Sequence, residues 1–287
     1  MTKRIRVALS GSGFRLGAHL GALQAIVDAG YEIVELAGTS GGSIVAAMFA
    51  GGMKLTDMRE LCMRLDWSSI MRFSPWAVLR HQALCGGKAL EAFLERGTGG
   101  RTFINSPLDL KIIAADLLTE REFLFSRATT PTVPIAVAAR ASASIPVVFP
   151  PVACSGALLV DGGTCDNVPA SDLTVDDVPR VGIYLVSDDT ALRPGNHGLC
   201  TLAPRIIDLM LAANEAAHVE LDVKNGVTIV RVQTGYASSF DRNMAPAVRR
   251  RLYNDGYAAT KAAIGAMPVA QTTPSGTIFS TSRPMSP

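Results

Sequence analysis

One serine of this sequence lies in a setting that suits nucleophilic chemistry. Ser40 is the middle residue of a G-x-S-x-G pattern, between the apolar run 33–37 and the small-residue run 42–48. These runs predict a strand, a sharp turn and a helix, the arrangement that holds a serine as an exposed nucleophile. Glycine lets strand and helix approach closely, and the helix N-terminus directs N–H groups toward charge that develops near the serine. The predicted nucleophile elbow consists of Gly38, Thr39, Ser40, Gly41 and Gly42.

A serine hydroxyl is a poor nucleophile until a base takes its proton. An acid followed by His197 or His218 would complete a Ser-Asp-His triad of the α/β-hydrolase type. However, only two strands are predicted before Ser40, whereas that fold usually builds more of its sheet before the nucleophile. His197 lies in a loop-like stretch and His218 in the middle of a predicted helix, so neither position favours a catalytic base.

Asp161 is the better candidate for the base. It ends the predicted strand 157–160 and is followed by Gly162 and Gly163. Its side chain is therefore expected at the carboxyl edge of the sheet, where Ser40 also emerges. A purely structural Asp-Gly-Gly turn has the same sequence, so this pattern alone leaves both interpretations open.

A glycine-rich loop follows the first predicted strand, 7–10. Acyl transfer needs donors aimed at the oxyanion of a tetrahedral intermediate, and glycine-rich backbone at a helix N-terminus presents such N–H groups. A dinucleotide site is the alternative, but it requires an acidic residue at the end of the second strand, which here ends in Ala37. The candidate oxyanion loop contains Gly11, Ser12, Gly13 and Arg15.

Together these pieces resemble the patatin-like phospholipases, in the order and spacing of that family, over about residues 5–265. A weaker likeness extends to residues 230–235 and 256–257. The residues that carry the resemblance are Leu9 to Arg15 with Ala18 to Gly21, Gly38 to Gly42, Arg140 to Pro146 with Phe149 to Val152, and Leu159 to Gly163 with Asn167 to Pro169.

The resemblance implies a Ser-Asp dyad that works without histidine. Ser40 would attack an acyl ester carbonyl, and Asp161 would act as general base and then pass the proton to the leaving alcohol. N–H groups of the loop 11–13 would bind the oxyanion, Arg15 would help to hold the loop, and water would hydrolyse the acyl-enzyme. The implied function is a lipid acyl hydrolase, a phospholipase A or lysophospholipase, with a phospholipid or other lipid ester as substrate.

Two residues depart from the family's loop. Ser12 replaces its middle glycine, and Leu16 stands where a glycine directly follows the basic residue. Ser12 still offers an N–H group, but its Cβ is expected to narrow the approach of the substrate. These departures motivate an alternative, a non-catalytic lipid- or partner-binding module on the same fold. Acyl transfer to an acceptor other than water also stays open, because the acyl-enzyme is common to both reactions.

Alternating strands and helices predict parallel strands with right-handed crossovers. We expect one three-layer α/β/α domain of patatin-like fold with a mostly parallel central sheet, over residues 1–266, and a disordered Pro/Ser/Thr-rich tail over 267–287. The apolar residues of 53–100 are expected mainly in the core, with one or two in a pocket. Further strands are predicted at 110–115, 121–125 (antiparallel), 157–160, 181–186 and 227–232, and helices at 133–141, 203–223 and 247–266.

Composition limits the remaining classes of function. The 287 residues are 48% hydrophobic and 18% charged, which allows a large core. No run spans a bilayer and no secretory signal is visible, so we expect a cytoplasmic protein, with possible peripheral membrane contact. A net charge of +2 gives no argument for nucleic acid, five scattered cysteines do not suit a zinc site, and no metal or cofactor is expected. Clustered Arg249, Arg250 and Arg251 could meet anionic headgroups, but a solvated helix face is preferred.

Overall fold

The computed structural model describes residues 2–81, 83–186 and 215–267, together with Gly195 and Gly198. Its strands are β1 (Lys3–Leu9), β2 (Tyr31–Thr39), β3 (Asp109–Asp116), β4 (Arg121–Ser126), β5 (Val152–Cys154), β6 (Ala157–Asp161), β7 (Arg180–Val186) and β8 (Thr228–Gln233). Its helices are α1 (Leu16–Asp28), α2 (Gly41–Ala50), α3 (Leu55–Arg64), α4 (Trp67–Ile70), α5 (Pro75–His81), α6 (Lys88–Thr98), α7 (Ile135–Ser142), α8 (Glu215–Lys224) and α9 (Pro246–Gly265).

The strands form one mixed sheet in the order β5-β6-β3-β2-β1-β7-β8, and β4 also pairs with β3. Strands β3, β2, β1, β7 and β8 run parallel, whereas β4 and β6 run antiparallel to β3. The predicted α/β class with a mostly parallel central sheet is therefore confirmed. The short edge strand β5 was not predicted, because three residues carry too little periodicity to indicate a strand.

Strands β2 and β6 meet end to end along β3. Thr39 at the end of β2 pairs with Ile113, and Asp161 at the end of β6 pairs with the next residue, Ala114. Strand β4 occupies the opposite edge of this part of β3. The last residues of β2 and β6 thus converge from opposite directions, and this convergence brings the elbow and the aspartate together.

The sheet buries both faces, as expected for strands with nearly continuous apolar runs. One face carries Val7, Leu9 and Leu36 into the main core beneath α1, α2, α6, α7 and α9. The other face carries the small residues Ala8 and Ala37, which pack against the segment 168–173 and α8. Alternation along β1 and β2 therefore assigns large side chains to one layer and small ones to the other.

Buried charges at the amino half of the sheet neutralise one another. Glu35 on β2 is fully buried and pairs with Arg6 on β1 at 2.5 Å and with Lys111 on β3 at 2.7 Å. The N–H and hydroxyl groups of Thr174 also donate to its carboxylate. Because its carboxylate already has this many partners, Glu35 stabilises the sheet and does not act as the ribose-binding acid of a dinucleotide site.

The region of short helices departs from the prediction in one respect. Trp67 and Ile70 are buried as expected, but five other large apolar residues are exposed. The exposed residues are Phe73, Trp76, Val78, Leu79 and Leu84. The predicted helix 203–223 is described only over α8, and His197 and the predicted tail after Met267 lie outside the described residues. No helix in the described ranges is both long and apolar enough to cross a membrane.

Helices α1 and α9 approach so closely that their glycines touch backbone. A Cβ added at Gly21 would lie 1.9 Å from the carbonyl oxygen of Tyr253, and one at Gly256 would lie 2.0 Å from that of Ala18. We expect Gly21→Ala to lower the free energy of unfolding by about 2–3 kcal/mol, because the helices must separate. Gly265→Ala is the matched control, since no atom lies within 4 Å of its added Cβ.

Urea denaturation of both variants and the wild type measures this effect. The control should stay within about 1 kcal/mol of the wild type, because alanine favours a helix over glycine. Equal unfolding midpoints for Gly21→Ala and Gly265→Ala would show that the helix contact is looser than described.

Candidate active site

Ser40 occupies the predicted elbow between β2 and α2. Its φ of 50° and ψ of −121° lie in a region that L-residues rarely adopt. Glycines make the turn possible: a Cβ at Gly38 would lie 2.8 Å from the carbonyl oxygen of Gly42, and one at Gly42 would lie 2.4 Å from that of Leu9. The strained backbone presents the serine side chain above the carboxyl end of β2.

Hydrogen bonds from three directions hold the elbow. The Ser40 N–H donates to Ser142 Oγ at 2.9 Å, and Ser43 Oγ donates to the Ser40 carbonyl at 2.6 Å. The Thr39 hydroxyl donates to the carbonyl of Asp166 at 2.9 Å. Because α7, α2 and the loop after β6 all contribute, the position of Ser40 is fixed by the fold and not by the pentapeptide alone.

Ser40 and Asp161 form a direct hydrogen bond. Ser40 Oγ donates to Asp161 Oδ2 at 2.6 Å, and the second carboxylate oxygen, Oδ1, accepts from the Gly163 N–H at 2.9 Å. Gly162 allows this turn, since a Cβ there would lie 2.2 Å from the carbonyl oxygen of Ile113. The Asp161 side chain is thus oriented at both oxygens, with one of them on the serine hydroxyl.

Burial sets the proton affinity of this carboxyl group. Asp161 is 2% exposed and Ser40 is 6% exposed. Burial raises the pKa of Asp161 from 3.8 to about 6, and the hydrogen bonds from Ser40 and Gly163 oppose the rise. The group is therefore ionised at neutral pH, yet it is far more basic than an exposed aspartate.

The loop 11–13 lies against the elbow, since a Cβ at Gly41 would lie 2.6 Å from the carbonyl oxygen of Gly13. The Gly11 N–H is already engaged by Asn167, through its carbonyl oxygen at 3.0 Å and its Oδ1 at 3.1 Å. The N–H groups of Ser12 and Gly13 have no acceptor among the described residues. They are therefore the loop donors that an incoming anion could use, while Gly11 anchors the loop.

Arg15 supports the loop from within the protein. It is 5% exposed; its Nε donates to the Ser12 carbonyl at 3.1 Å, and its Nη1 donates to Thr234 Oγ1 at 2.8 Å. Leu16, which directly follows Arg15 and replaces the family's glycine, lies in the apolar core beside Leu20 and Val45. The guanidinium therefore ties the loop to Thr234, the residue that follows β8.

The serine at the middle loop position packs against the start of α2. Ser12 is 2% exposed, and its Oγ donates to the Gly13 carbonyl at 3.4 Å. A Cβ at Gly41 would lie 2.2 Å from that Oγ, so glycine at the start of α2 makes room for the Ser12 side chain.

An apolar pocket opens beside Ser40. It is bounded by the elbow and the loop on one side and by α4, α6 and the segment after α7 on the other. The rings of Phe14 and Trp67 contact each other within it at a tilt of 32°, with centroids 4.6 Å apart. Its lining residues are Gly13, Phe14, Ser40, Gly41, Ile44, Trp67, Leu90, Ala143, Ile145 and Phe149. Such a lining suits a hydrocarbon chain.

Of the two histidines considered as a catalytic base, only His218 lies within the described residues, and it does not take the place of Asp161 beside Ser40. His218 lies on α8, half exposed, with its Nδ1 3.8 Å from Asp166 Oδ1. His19 is fully buried and its Nε2 donates to the Ser10 carbonyl at 2.8 Å. Burial lowers the pKa of His19 to about 3, so its ring stays neutral. Both rings serve contacts other than the nucleophile.

One acidic cluster was not anticipated from the sequence. Carboxylate oxygens of Glu122, Asp166 and Asp172 lie within 4.8 Å of one another. Burial and mutual repulsion raise the pKa of Glu122 to about 7 and that of Asp172 to about 6. The carboxylate of Asp166 accepts hydrogen bonds from the Val168 N–H and the Ser171 hydroxyl. Glu122 comes from β4, whereas Asp166 and Asp172 come from the segment between β6 and β7, so no local motif could indicate this cluster.

Comparison with known proteins assigns the family. The profile of the patatin-like phospholipases matches residues 7–174, more than half of the chain. The chain belongs to the patatin-like phospholipase family. The matched range includes the loop, the elbow and the Asp-Gly-Gly turn.

Relatives in sequence come from bacteria and a virus. An uncharacterized NTE family protein of Mycobacterium tuberculosis is 33% identical over 171 residues, which cover 59% of this chain and 45% of the relative. An uncharacterized protein of Acanthamoeba polyphaga mimivirus is 32% identical over 233 residues, 74% of this chain and 77% of the relative. The chain thus matches less than half the length of that mycobacterial relative.

Solved structures share the fold at low sequence identity. VipD from Legionella pneumophila superposes with a TM-score of 0.61 at 16% identity, over 92% of this chain and 67% of VipD. The type III effector ExoU superposes with a TM-score of 0.52 at 14% identity, over 92% of this chain and 53% of ExoU. The patatin-like fold therefore extends well beyond the residues that the family profile matches.

Proposed function

We propose that this protein is a lipid acyl hydrolase that cleaves carboxylic esters of phospholipids or related lipids. The observation that carries the proposal is the 2.6 Å hydrogen bond from Ser40 Oγ to Asp161 Oδ2, buried beside an apolar pocket. A nucleophile and a base within hydrogen-bond reach, with the base oriented by a third group, are the parts that covalent acyl transfer requires.

In the first half-reaction, Ser40 Oγ attacks the acyl carbonyl carbon while its proton passes to Asp161 Oδ2. The carbonyl oxygen becomes an oxyanion that faces the N–H groups of Ser12 and Gly13 and the N-terminus of α2. The C–O bond to the alcohol then breaks, and the leaving oxygen takes the proton from Asp161. The products are the free alcohol, such as a lysophospholipid, and an acyl ester on Ser40.

In the second half-reaction, Asp161 deprotonates a water molecule that attacks the acyl ester on Ser40. The same donors face the second oxyanion, and collapse of this intermediate releases a fatty acid and returns the proton to Ser40. An alcohol in place of water would give acyl transfer by the same steps. The raised pKa of Asp161, about 6, suits a group that must both accept and donate a proton near neutral pH.

Labelling with a fluorophosphonate tests the proposal directly. We expect the probe to modify Ser40 and to abolish the release of fatty acid from phosphatidylglycerol vesicles in parallel, as measured by mass spectrometry of protein and lipid. An added alcohol separates hydrolysis from transfer, because transfer yields its acyl ester. Absence of both labelling and fatty acid release would instead favour a non-catalytic lipid- or partner-binding module.

A further inference from the structure

An exposed apolar surface borders the pocket beside Ser40. We call it the apolar rim; it belongs to α5, its flanking residues and the loop after α7. Its members are Phe73 (65% exposed), Trp76 (63%), Leu79 (80%), Leu84 (43%) and Val147 (51%). Large aromatic and aliphatic side chains at such exposures on neighbouring segments indicate an interaction site.

Backbone hydrogen bonds join the segments of the apolar rim into one platform. The Ser74 N–H donates to the Leu84 carbonyl at 3.0 Å, and the Leu84 N–H donates to the Val147 carbonyl at 2.8 Å. Phe73 and Cys85 form an antiparallel bridge. On α5, Ala77 packs inward at 2% exposure while Trp76 and Leu79 face outward. The apolar side chains are therefore displayed by ordered backbone.

The apolar rim continues into the pocket. Val147 is followed by Val148, whose carbonyl accepts from the Cys85 N–H at 2.9 Å. On either side of this pair, Ile145 and Phe149 line the pocket beside Ser40. An acyl chain that moves from a lipid surface beneath the apolar rim toward Ser40 would thus contact apolar side chains along the way.

The segment that carries the apolar rim is basic. Between Asp66 and Glu91 the sequence contains Arg72, Arg80 and Lys88 and no further acidic residue, although the whole chain is nearly balanced, with 27 basic and 25 acidic residues. Arg242 lies close enough to favour the thiolate of Cys85 electrostatically. A basic border around exposed aromatic and aliphatic residues matches an anionic lipid surface, which offers both partners.

We propose that the apolar rim docks on an anionic phospholipid surface and so delivers lipid esters to the pocket; this rests on the proposed function. Trp76 would lie at the level of the headgroups, where the amphipathic indole is favoured, and Phe73 and Leu79 would enter the acyl region. Within the arginine cluster on α9, Arg249 takes no equivalent part, because its guanidinium donates to the carbonyls of Cys62, Leu65 and Met244.

Tryptophan fluorescence tests the docking. The chain has two tryptophans, so in the Ser40→Ala, Trp67→Phe background all tryptophan emission comes from Trp76, and the lipid stays intact. We expect a blue shift with phosphatidylglycerol vesicles and quenching by brominated acyl chains, both weaker with phosphatidylcholine alone. Unchanged emission with saturating phosphatidylglycerol vesicles would overturn the proposal.

Matched triple variants separate the apolar rim from exposed apolar residues elsewhere. In vesicle sedimentation, Phe73→Ser, Trp76→Ser, Leu79→Ser should weaken partitioning at least about tenfold, whereas Val175→Ser, Leu221→Ser, Val223→Ser should not change it. The control residues are also exposed, at 73%, 55% and 54%. Equal partitioning of the two triple variants would contradict the docking role.

Activity measurements keep the two proposals distinguishable. In an otherwise wild-type chain, the Phe73, Trp76, Leu79 triple variant should keep its turnover of a soluble nitrophenyl ester within about twofold but lose at least about tenfold on vesicles. If the triple variant loses vesicle binding but the wild type turns over neither substrate, the docking proposal stands and the proposed function is overturned. Equal loss on both substrates would overturn the docking role, because the effect would then lie in the pocket.

Discussion

Ser40→Ala is expected to reduce turnover of a short-chain nitrophenyl ester by at least about a thousandfold, because the covalent route is lost when its nucleophile is removed. What remains would come from the donors and the pocket, which can only bind and polarise the ester. Stopped assays with purified protein at neutral pH measure the rate. Turnover close to that of the wild type would show that another group attacks the ester.

Two features make this variant a clean test of the nucleophile. Alanine keeps the Cβ of the residue, so the strained backbone at φ 50° is retained and the unfolding midpoint should stay near that of the wild type. Ser43→Ala is the matched control, since this serine is also buried and its Oγ donates to the Ser40 carbonyl at 2.6 Å. It supports the elbow without reaching the ester, and its turnover should fall less than about tenfold.

The elbow was predictable because its determinants are local. An apolar run, a glycine-serine-glycine turn and a small-residue run describe the strand, the turn and the helix within about twenty residues. The close contacts at Gly38 and Gly42 lie within the elbow or with β1, so the glycines themselves carry the signal. The family resemblance added the role of Asp161, which the Asp-Gly-Gly sequence alone left open.

Features that depend on distant residues were not predictable in this way. The end-to-end meeting of β2 and β6 on β3 depends on a strand reversal between residues 116 and 157, and no sequence pattern states on which side of β3 the returning strand lies. The engagement of the Gly11 N–H by Asn167 joins residues 156 positions apart. Sequence reasoning therefore found the loop but not which of its N–H groups stay unbonded.

The apolar rim shows the same limit from the other side. Hydrophobic composition favours burial, so Phe73, Trp76 and Leu79 were expected in the core. Whether a short amphipathic helix turns its large side chains inward depends on whether a neighbour covers them, and the described part of the chain leaves these uncovered. The exposure of a side chain therefore depends on the tertiary arrangement. The exposure of these three residues suggests a function because they lie next to the pocket.

Asp161→Asn is the second prediction with a large expected effect on turnover. Asparagine keeps the shape of the side chain and can still accept from the Gly163 N–H, but it cannot take a proton from Ser40. We expect turnover to fall at least about a thousandfold. His218→Ala is the matched control and should stay within about twofold of the wild type, because its ring faces Asp166 and not Ser40. Loss of turnover in the histidine variant would instead support a triad.

The same group predicts the pH dependence of the wild type. Because burial raises the pKa of Asp161 to about 6, the base is protonated below that pH and ionised above it. Turnover divided by KM should therefore rise as the pH increases through about 6 and then reach a plateau. A profile that is flat from pH 5 to 8 on a soluble ester would contradict the assignment of Asp161 as the titrating base.

Stability should change in the opposite direction to activity. The pKa of Asp161 is about 6 in the folded protein, against 3.8 for an unperturbed aspartate, so its protonation favours the folded state below pH 4 and this contribution is lost as the pH rises through about 6. At pH 7 the buried charge then costs up to about 3 kcal/mol, which asparagine does not incur. The free energy of unfolding of Asp161→Asn should therefore match the wild type near pH 4 and exceed it at pH 7. Other titrating groups, including the acidic cluster at Asp166, are common to both proteins, so their contributions cancel in the difference between the two free energies of unfolding. A buried catalytic carboxylate at position 161 therefore predicts a variant that is inactive and is more stable than the wild type only at neutral pH.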